Sequence, residues 1–142
     1  MRGLLDINVL IALFDADHPA HSGARAWLAD RAGDGWASCP ITQNGVLRIM
    51  SQPAYPNPLP IGEVFDLMRE ATAHAAHEFW ADDISLLDEL RIDTSMSLGP
   101  RQITDLYLLA LAVAHKGRFV TFDRAVPVNV VRGATKRHLV VL

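Results

Sequence analysis

The chain has 142 residues, half of them apolar, with 13 Lys and Arg against 16 Asp and Glu and a net charge of −3. That length suits one domain, expected here over residues 1–142, and the apolar content excludes a disordered chain. The near-neutral charge leaves nucleic-acid binding to a local basic stripe, and the lone cysteine, Cys39, excludes an intrachain disulfide and points to a reducing, cytoplasmic setting.

Gly3 to Leu5 is a short apolar run closed by Asp6, and it reads as a buried strand. Val9 to Phe14 reads as a short helix. The whole run from Leu4 to Phe14 is interrupted by Asp6 and Asn8 and covers roughly eleven residues, where a membrane span needs ~20. Neither a membrane span nor a secretory signal is therefore expected. Pro19 suits the first turn of a second helix with a polar cap before it; Ala24, Trp27 and Leu28 share one face, and Gly33 marks its end.

Trp36 to Cys39 reads as a second strand, and Ile41 to Ser51 as a helix with Ile41, Val46, Ile49 and Met50 as apolar positions. Pro53, Pro56, Pro58 and Pro60 then exclude any helix interior or central strand. Ile61 to Thr72 carries Val64, Phe65 and Met68 at helical spacing, and His77 to Trp80 reads as a third strand. Asp82 and Asp83 ahead of Ile84 to Leu87 predict a short capped helix.

Gln102 to Lys116 is the most continuous helix. It is apolar almost all round from Leu106 to Ala114, and Gly117 supplies the stop. Phe119 to Phe122 is a strand ending at Asp123, and Leu139 to Val141 adds a last one. Helices alternating with short strands apolar on both faces predict a three-layer α/β/α sandwich around a short, mainly parallel twisted sheet. In such sheets ligands bind beyond the carboxyl ends of the strands.

Asp6 and Asp123 each follow an apolar strand, and parallel strands bring both to one sheet edge. Asp105 lies in the first turn of the long buried helix. Three carboxylates in an apolar setting are costly unless a cation balances them, and oxygen-only donors suit Mg²⁺ or Mn²⁺ better than zinc.

The wording around these residues carries a resemblance. Leu4-Leu5-Asp6-Ile7-Asn8-Val9-Leu10 resembles the opening of PIN domains. Thr104-Asp105-Leu106-Tyr107-Leu108-Leu109-Ala110-Leu111-Ala112 resembles their third acidic motif, and Phe119-Val120-Thr121-Phe122-Asp123 their fourth. Order and spacing fit over nearly the whole chain, most closely to the VapC-type toxins of bacterial toxin–antitoxin pairs.

The resemblance implies an endoribonuclease that uses Mg²⁺ or Mn²⁺ to activate a water against RNA phosphodiesters, with Asp6, Asp105 and Asp123 as metal ligands. It implies a VapB-like antitoxin as partner and a homodimer, with a higher assembly when the antitoxin is bound. Asn8 is expected to orient Asp6 or the backbone of the site, and Thr121 and Thr104 to donate to carboxylate oxygens.

The chain departs from the family where a Glu is usual on the helix after the second strand. Asn44 stands there, or Gln43 if the register slips by one. An amide adds no negative charge, so a second metal ion is in question while Asn44 keeps a place in the catalytic set. The missing Glu also motivates a competing reading, a catalytically weak PIN-fold module that binds RNA or a partner. A phosphatase of the aspartyl-phosphate type is disfavoured because Asp6-Ile7-Asn8 lacks a second Asp.

Other features carry less. His18 with His21, and His74 with His77, are spaced to share a helix face, but no zinc set completes either pair. Nothing marks Cys39 as a nucleophile. Arg101 and Arg124, near the acidic motifs, are candidates for RNA phosphates, among scattered cations that include Arg48, Lys116, Arg118, Arg132, Lys136 and Arg137. Trp27, Leu28, Phe65 and Met68 are candidates for a partner groove, although core packing is the commoner role for such residues.

Overall fold

A computed structural model describes all of residues 1–142. Five strands form one sheet: β1 (Gly3–Leu5), β2 (Trp36–Ser38), β3 (His77–Phe79), β4 (Arg118–Thr121) and β5 (Leu139–Val141). Their spatial order is β3-β2-β1-β4-β5, and every pairing is parallel. No helix is long and apolar enough to cross a membrane.

Successive strand residues face opposite sides of the sheet, so each central strand feeds two cores. Leu4, Ala37 and Phe119 join the core with α5 (Ile103–Ala114). Leu5, Trp36 and Val120 join a second core built with α1 (Ile7–Phe14), α3 (Pro40–Met50) and α4 (Ile61–Thr72). A further helix, α2 (His21–Asp30), packs against α1. The α/β/α layering expected from the sequence is therefore present.

Local chemistry moved several element boundaries. The first helix starts at Ile7 rather than Val9, because Asp6 caps it by accepting the Ile7 N–H at 2.7 Å. Pro19 lies outside the second helix, which begins at His21 without a side-chain cap; the His21 ring instead bonds the Ala12 carbonyl at 2.7 Å and pins α2 to α1. The long C-terminal helix is preceded by a 3₁₀ turn at Pro100–Gln102.

Gly117 does not take the left-handed turn that ends α5. Lys116 does, at φ 56°, while the Gly117 N–H returns to the Ala112 carbonyl at 2.8 Å. Gly117 is needed for a close approach instead: a Cβ there would stand 2.6 Å from the Trp80 ring and 2.7 Å from the Arg2 carbonyl.

The helix expected at Ile84 to Leu87 does not form. Ser85 accepts the Leu87 N–H at 3.1 Å and Asp88 the Leu90 N–H at 3.0 Å, folding the backbone into turns. Ile84 and Leu86 pack against the core at alternate positions while Leu87 is 91% exposed, so the buried residues do not have helical spacing.

Candidate active site

Asp6 and Asp123 both emerge at the carboxyl edge of the sheet, from adjacent strands β1 and β4. Asp6 is buried, at 6% exposure, and its backbone N–H bonds the Val120 carbonyl at 2.9 Å. One carboxylate oxygen caps α1, and the other accepts the Thr121 hydroxyl at 2.7 Å. Thr121 is fully buried, and its Oγ1 also accepts the Asp123 N–H at 3.0 Å. One hydroxyl thus ties two acidic residues together. Asp123 in turn accepts the Ala125 N–H at 2.7 Å.

Asp105 stands in the first turn of α5, half-buried, and no hydrogen bond reaches its side chain. Burial pushes its carboxyl up to about 6, and the charges of Asp6 and Asp123 push the same way. Asp6 is likewise raised, first by burial, against the lowering effect of Thr121 and the Ile7 N–H. The three carboxylates therefore share one electrostatic neighbourhood whose negative charge the surrounding donors do not balance. Their oxygens do not close on a common point as a finished coordination shell.

Other expected residues fall differently. Asn44 is exposed on α3 and makes no side-chain hydrogen bond. Gly45 beside it packs so tightly on α1 that a Cβ would fall 2.3 Å from Ile7 Cδ1. This contact fixes the Asn44 turn of α3 against the residue whose N–H holds Asp6. Gln43 is committed elsewhere, donating to Ser38 Oγ at 3.0 Å, which in turn contacts His77 Nε2 at 2.9 Å. Of the two register choices, only Asn44 is uncommitted.

Asn8 is exposed and does not contact Asp6; its expected orienting role belongs to the Ile7 N–H and Thr121. Thr104 is exposed and unbonded, because the first turn of α5 carries it on the solvent side. The histidine pairs are spent locally: His18 and His74 accept backbone N–H groups two residues on, and His21 and His77 bond the Ala12 and Thr72 carbonyls. Cys39 is buried, and burial raises its thiol pKa, the opposite of a reactive thiolate.

Arg48, Arg101 and Arg124 are exposed and form no ion pair, whereas Arg118 pairs with Asp34 and Arg132 with Asp93. Sequence reasoning missed Gln102, whose side chain reaches the Asp123 loop; its only signal was its place just before the helix that carries Asp105.

A second feature lies away from these carboxylates. An apolar groove of about 640 Å³ runs between α1, α2 and α4, lined among others by Leu10, Leu13, Phe14, Leu28 and Leu67. Of the four groove residues expected, Leu28 alone lines it. Trp27 packs on Gly3 and under Arg31, Phe65 lies under Arg69, and Met68 is buried in the core.

Acidic residues at adjacent strand ends of an all-parallel sheet are the frame of a hydrolase site, and comparison with known families agrees. The PIN domain family model matches residues 3–129, and the chain belongs to that family. It is 54% identical to ribonuclease VapC44 of Mycobacterium tuberculosis (strain ATCC 25618 / H37Rv) over 142 residues, the full length of both chains. It is 39% identical to ribonuclease VapC38 of the same strain over 124 residues, 87% of this chain and 86% of that one. Ribonuclease VapC29 matches at 35% over 123 residues, again 87% and 86%. Within the PIN family this is a ribonuclease of the VapC type.

Proposed function

We propose that the chain is the toxin of a toxin–antitoxin pair, a divalent-metal-dependent endoribonuclease whose ion is held by Asp6, Asp105 and Asp123. The observation that carries this reading is the placement of Asp105, half-buried beside Asp6 and Asp123; burial first, and the two charges after it, lift its carboxyl to about 6. Its all-oxygen donors fit Mg²⁺, with Mn²⁺ as the alternative. Such an ion, when bound, supplies a lowered water pKa and positive charge against the phosphate.

The chain's own groups do the rest. Thr121 and the Ile7 N–H hold Asp6 in one orientation, and the Ala125 N–H holds Asp123. Arg101 and Arg124, exposed and free of carboxylate partners, are the cations near the acidic motifs that receive RNA phosphates around the cleft in this reading. Asn44 supplies an amide and no charge, so three carboxylates hold one resident ion and a second enters with RNA.

Its partner in this reading is a VapB-like antitoxin, in keeping with the likeness to VapC-type ribonucleases. The groove between α1, α2 and α4 suits an apolar segment of such a protein, with Arg25, Glu70 and His74 among its lining residues to fix its direction. The resting assembly in this reading is a homodimer.

Incubation with structured RNA and Mg²⁺ or Mn²⁺, with and without chelator, tests the reading. Metal-dependent cleavage that Asp6→Asn abolishes is the expected result. Cleavage that survives Asp6→Asn and Asp105→Asn would overturn the site. RNA binding without cleavage by the unaltered chain would mean a PIN-fold binding module instead.

A further inference from the structure

The geometry points to Gln102 as a positioning residue that locks the Asp123 loop to the start of the helix bearing Asp105. This rests on the reading that Asp105 and Asp123 share an ion.

The side-chain amide of Gln102 is used at both ends. Its Oε1 accepts the Gly99 N–H at 2.9 Å, which folds the 3₁₀ turn back on itself. Its Nε2 donates to the Ala125 carbonyl at 2.6 Å, across 23 residues of sequence. Ala125 is thereby held from two sides, because its own N–H donates to Asp123 Oδ1 at 2.7 Å. Gln102 immediately precedes Ile103, the first residue of α5, so it moves as one body with Asp105 three positions on. Asp105 has no hydrogen bond of its own to the rest of the site, so the link runs through Gln102.

Two bridges then triangulate the trio. Thr121 joins Asp6 to Asp123 through one hydroxyl. Gln102 joins Asp123 to the helix of Asp105 through one amide. The Thr121 bridge is buried with Asp6, but the Gln102 bridge is not demanded by folding. The 99–102 turn is half-exposed, the Asp123–Ala125 loop is exposed, and neither Gln102 nor Ala125 belongs to the buried core.

The test compares Gln102→Ala and Gln102→Glu with the unaltered full chain. Glu keeps the acceptor for Gly99 but loses the donor to Ala125. Added charge alone would tighten a cation, so weaker binding by Gln102→Glu reports the lost donor. The readouts are Mn²⁺ affinity by electron paramagnetic resonance, the metal-free melting temperature, and the Ala125 amide signal by NMR. Both variants are expected to melt within a few degrees of the parent, shift the Ala125 signal, and bind Mn²⁺ about tenfold more weakly, while kcat at saturating Mn²⁺ stays within about threefold.

Mn²⁺ affinity unchanged or tighter in Gln102→Glu overturns the proposal, and Gln102→Glu decides alone if Gln102→Ala does not fold. Asp123→Asn is run beside them. If it loses Mn²⁺ while both Gln102 variants keep it, the positioning role alone fails. If Asp123→Asn binds as the parent does, the shared-ion reading fails and takes the role of Gln102 with it.

Discussion

The two ends of α1 each gather carboxylates, and they treat them in opposite ways. At the start, Asp6 joins Asp105 and Asp123, and burial with mutual repulsion raises Asp105 to about 6. At the end, Asp15 accepts the Tyr55 hydroxyl, the Asp17 N–H at 3.0 Å and Asn57 Nδ2 at 3.4 Å. Those donors, Tyr55 foremost, hold its carboxyl below the usual range, and Tyr55 is itself pushed up to about 12. The second cluster is a clasp: it ties the proline-rich loop to the α1–α2 corner. Acidic residues close in sequence or space do not by themselves mark a site. What distinguishes the first cluster is charge that its surroundings fail to balance.

The largest effect that separates the ends is on RNA cleavage. Asp105→Asn is expected to lower metal-dependent cleavage by more than about a hundredfold, and Asp15→Asn to leave it within about twofold. Equal losses in a gel assay would erase the distinction.

Thr121→Val comes next. It removes the donor to Asp6 and the acceptor for the Asp123 N–H, and a loss of about ten- to a hundredfold in metal affinity is expected by titration calorimetry.

The pH response follows from the sign of the Asp105 shift. In the metal-free chain the folded state holds that proton more tightly than the unfolded one. Its contribution to stability is full below the ordinary Asp value and is lost as pH rises through about 6. A cation must displace the same proton, so Mg²⁺ affinity is expected to climb from about pH 5 to about pH 7 and then level, by up to about tenfold per unit. A flat profile would show that Asp105 takes no part.

The smallest effects have opposite signs. Without metal at pH 7.5, Asp105→Asn is expected to stabilise the fold by about 1 kcal/mol, allowing for solvent screening. Tyr55→Phe is expected to destabilise it by about 1 kcal/mol through the lost bond to Asp15. Denaturant melts of the two variants check both signs.

Much of this was legible in the sequence because it is local. Apolar runs two-sided at Leu4-Leu5 and Phe119-Val120 suit buried strands in a layered sheet, though runs so short are ambiguous on periodicity alone, and an aspartate closing such a strand lies at its end. The prolines from Pro53 to Pro60 forbade regular structure wherever they fell. The helix expected at Ile84 to Leu87 failed because Ser85 and Asp88 offered the backbone competing bonds, and because burial that would have rewarded a helix is a tertiary quantity.

The sequence by itself determined the α/β class and the strand-end places of Asp6 and Asp123, and it is the source of the proposal that Asp105 joins them, since strand period and motif spacing depend only on nearby residues. Only the tertiary structure decided what orients them. Thr121 faces Asp6 across 115 positions and Gln102 reaches Ala125 across 23. Such hydrogen bonds depend on atoms meeting within about 3 Å, a condition that packing sets and that no local pattern of residues encodes.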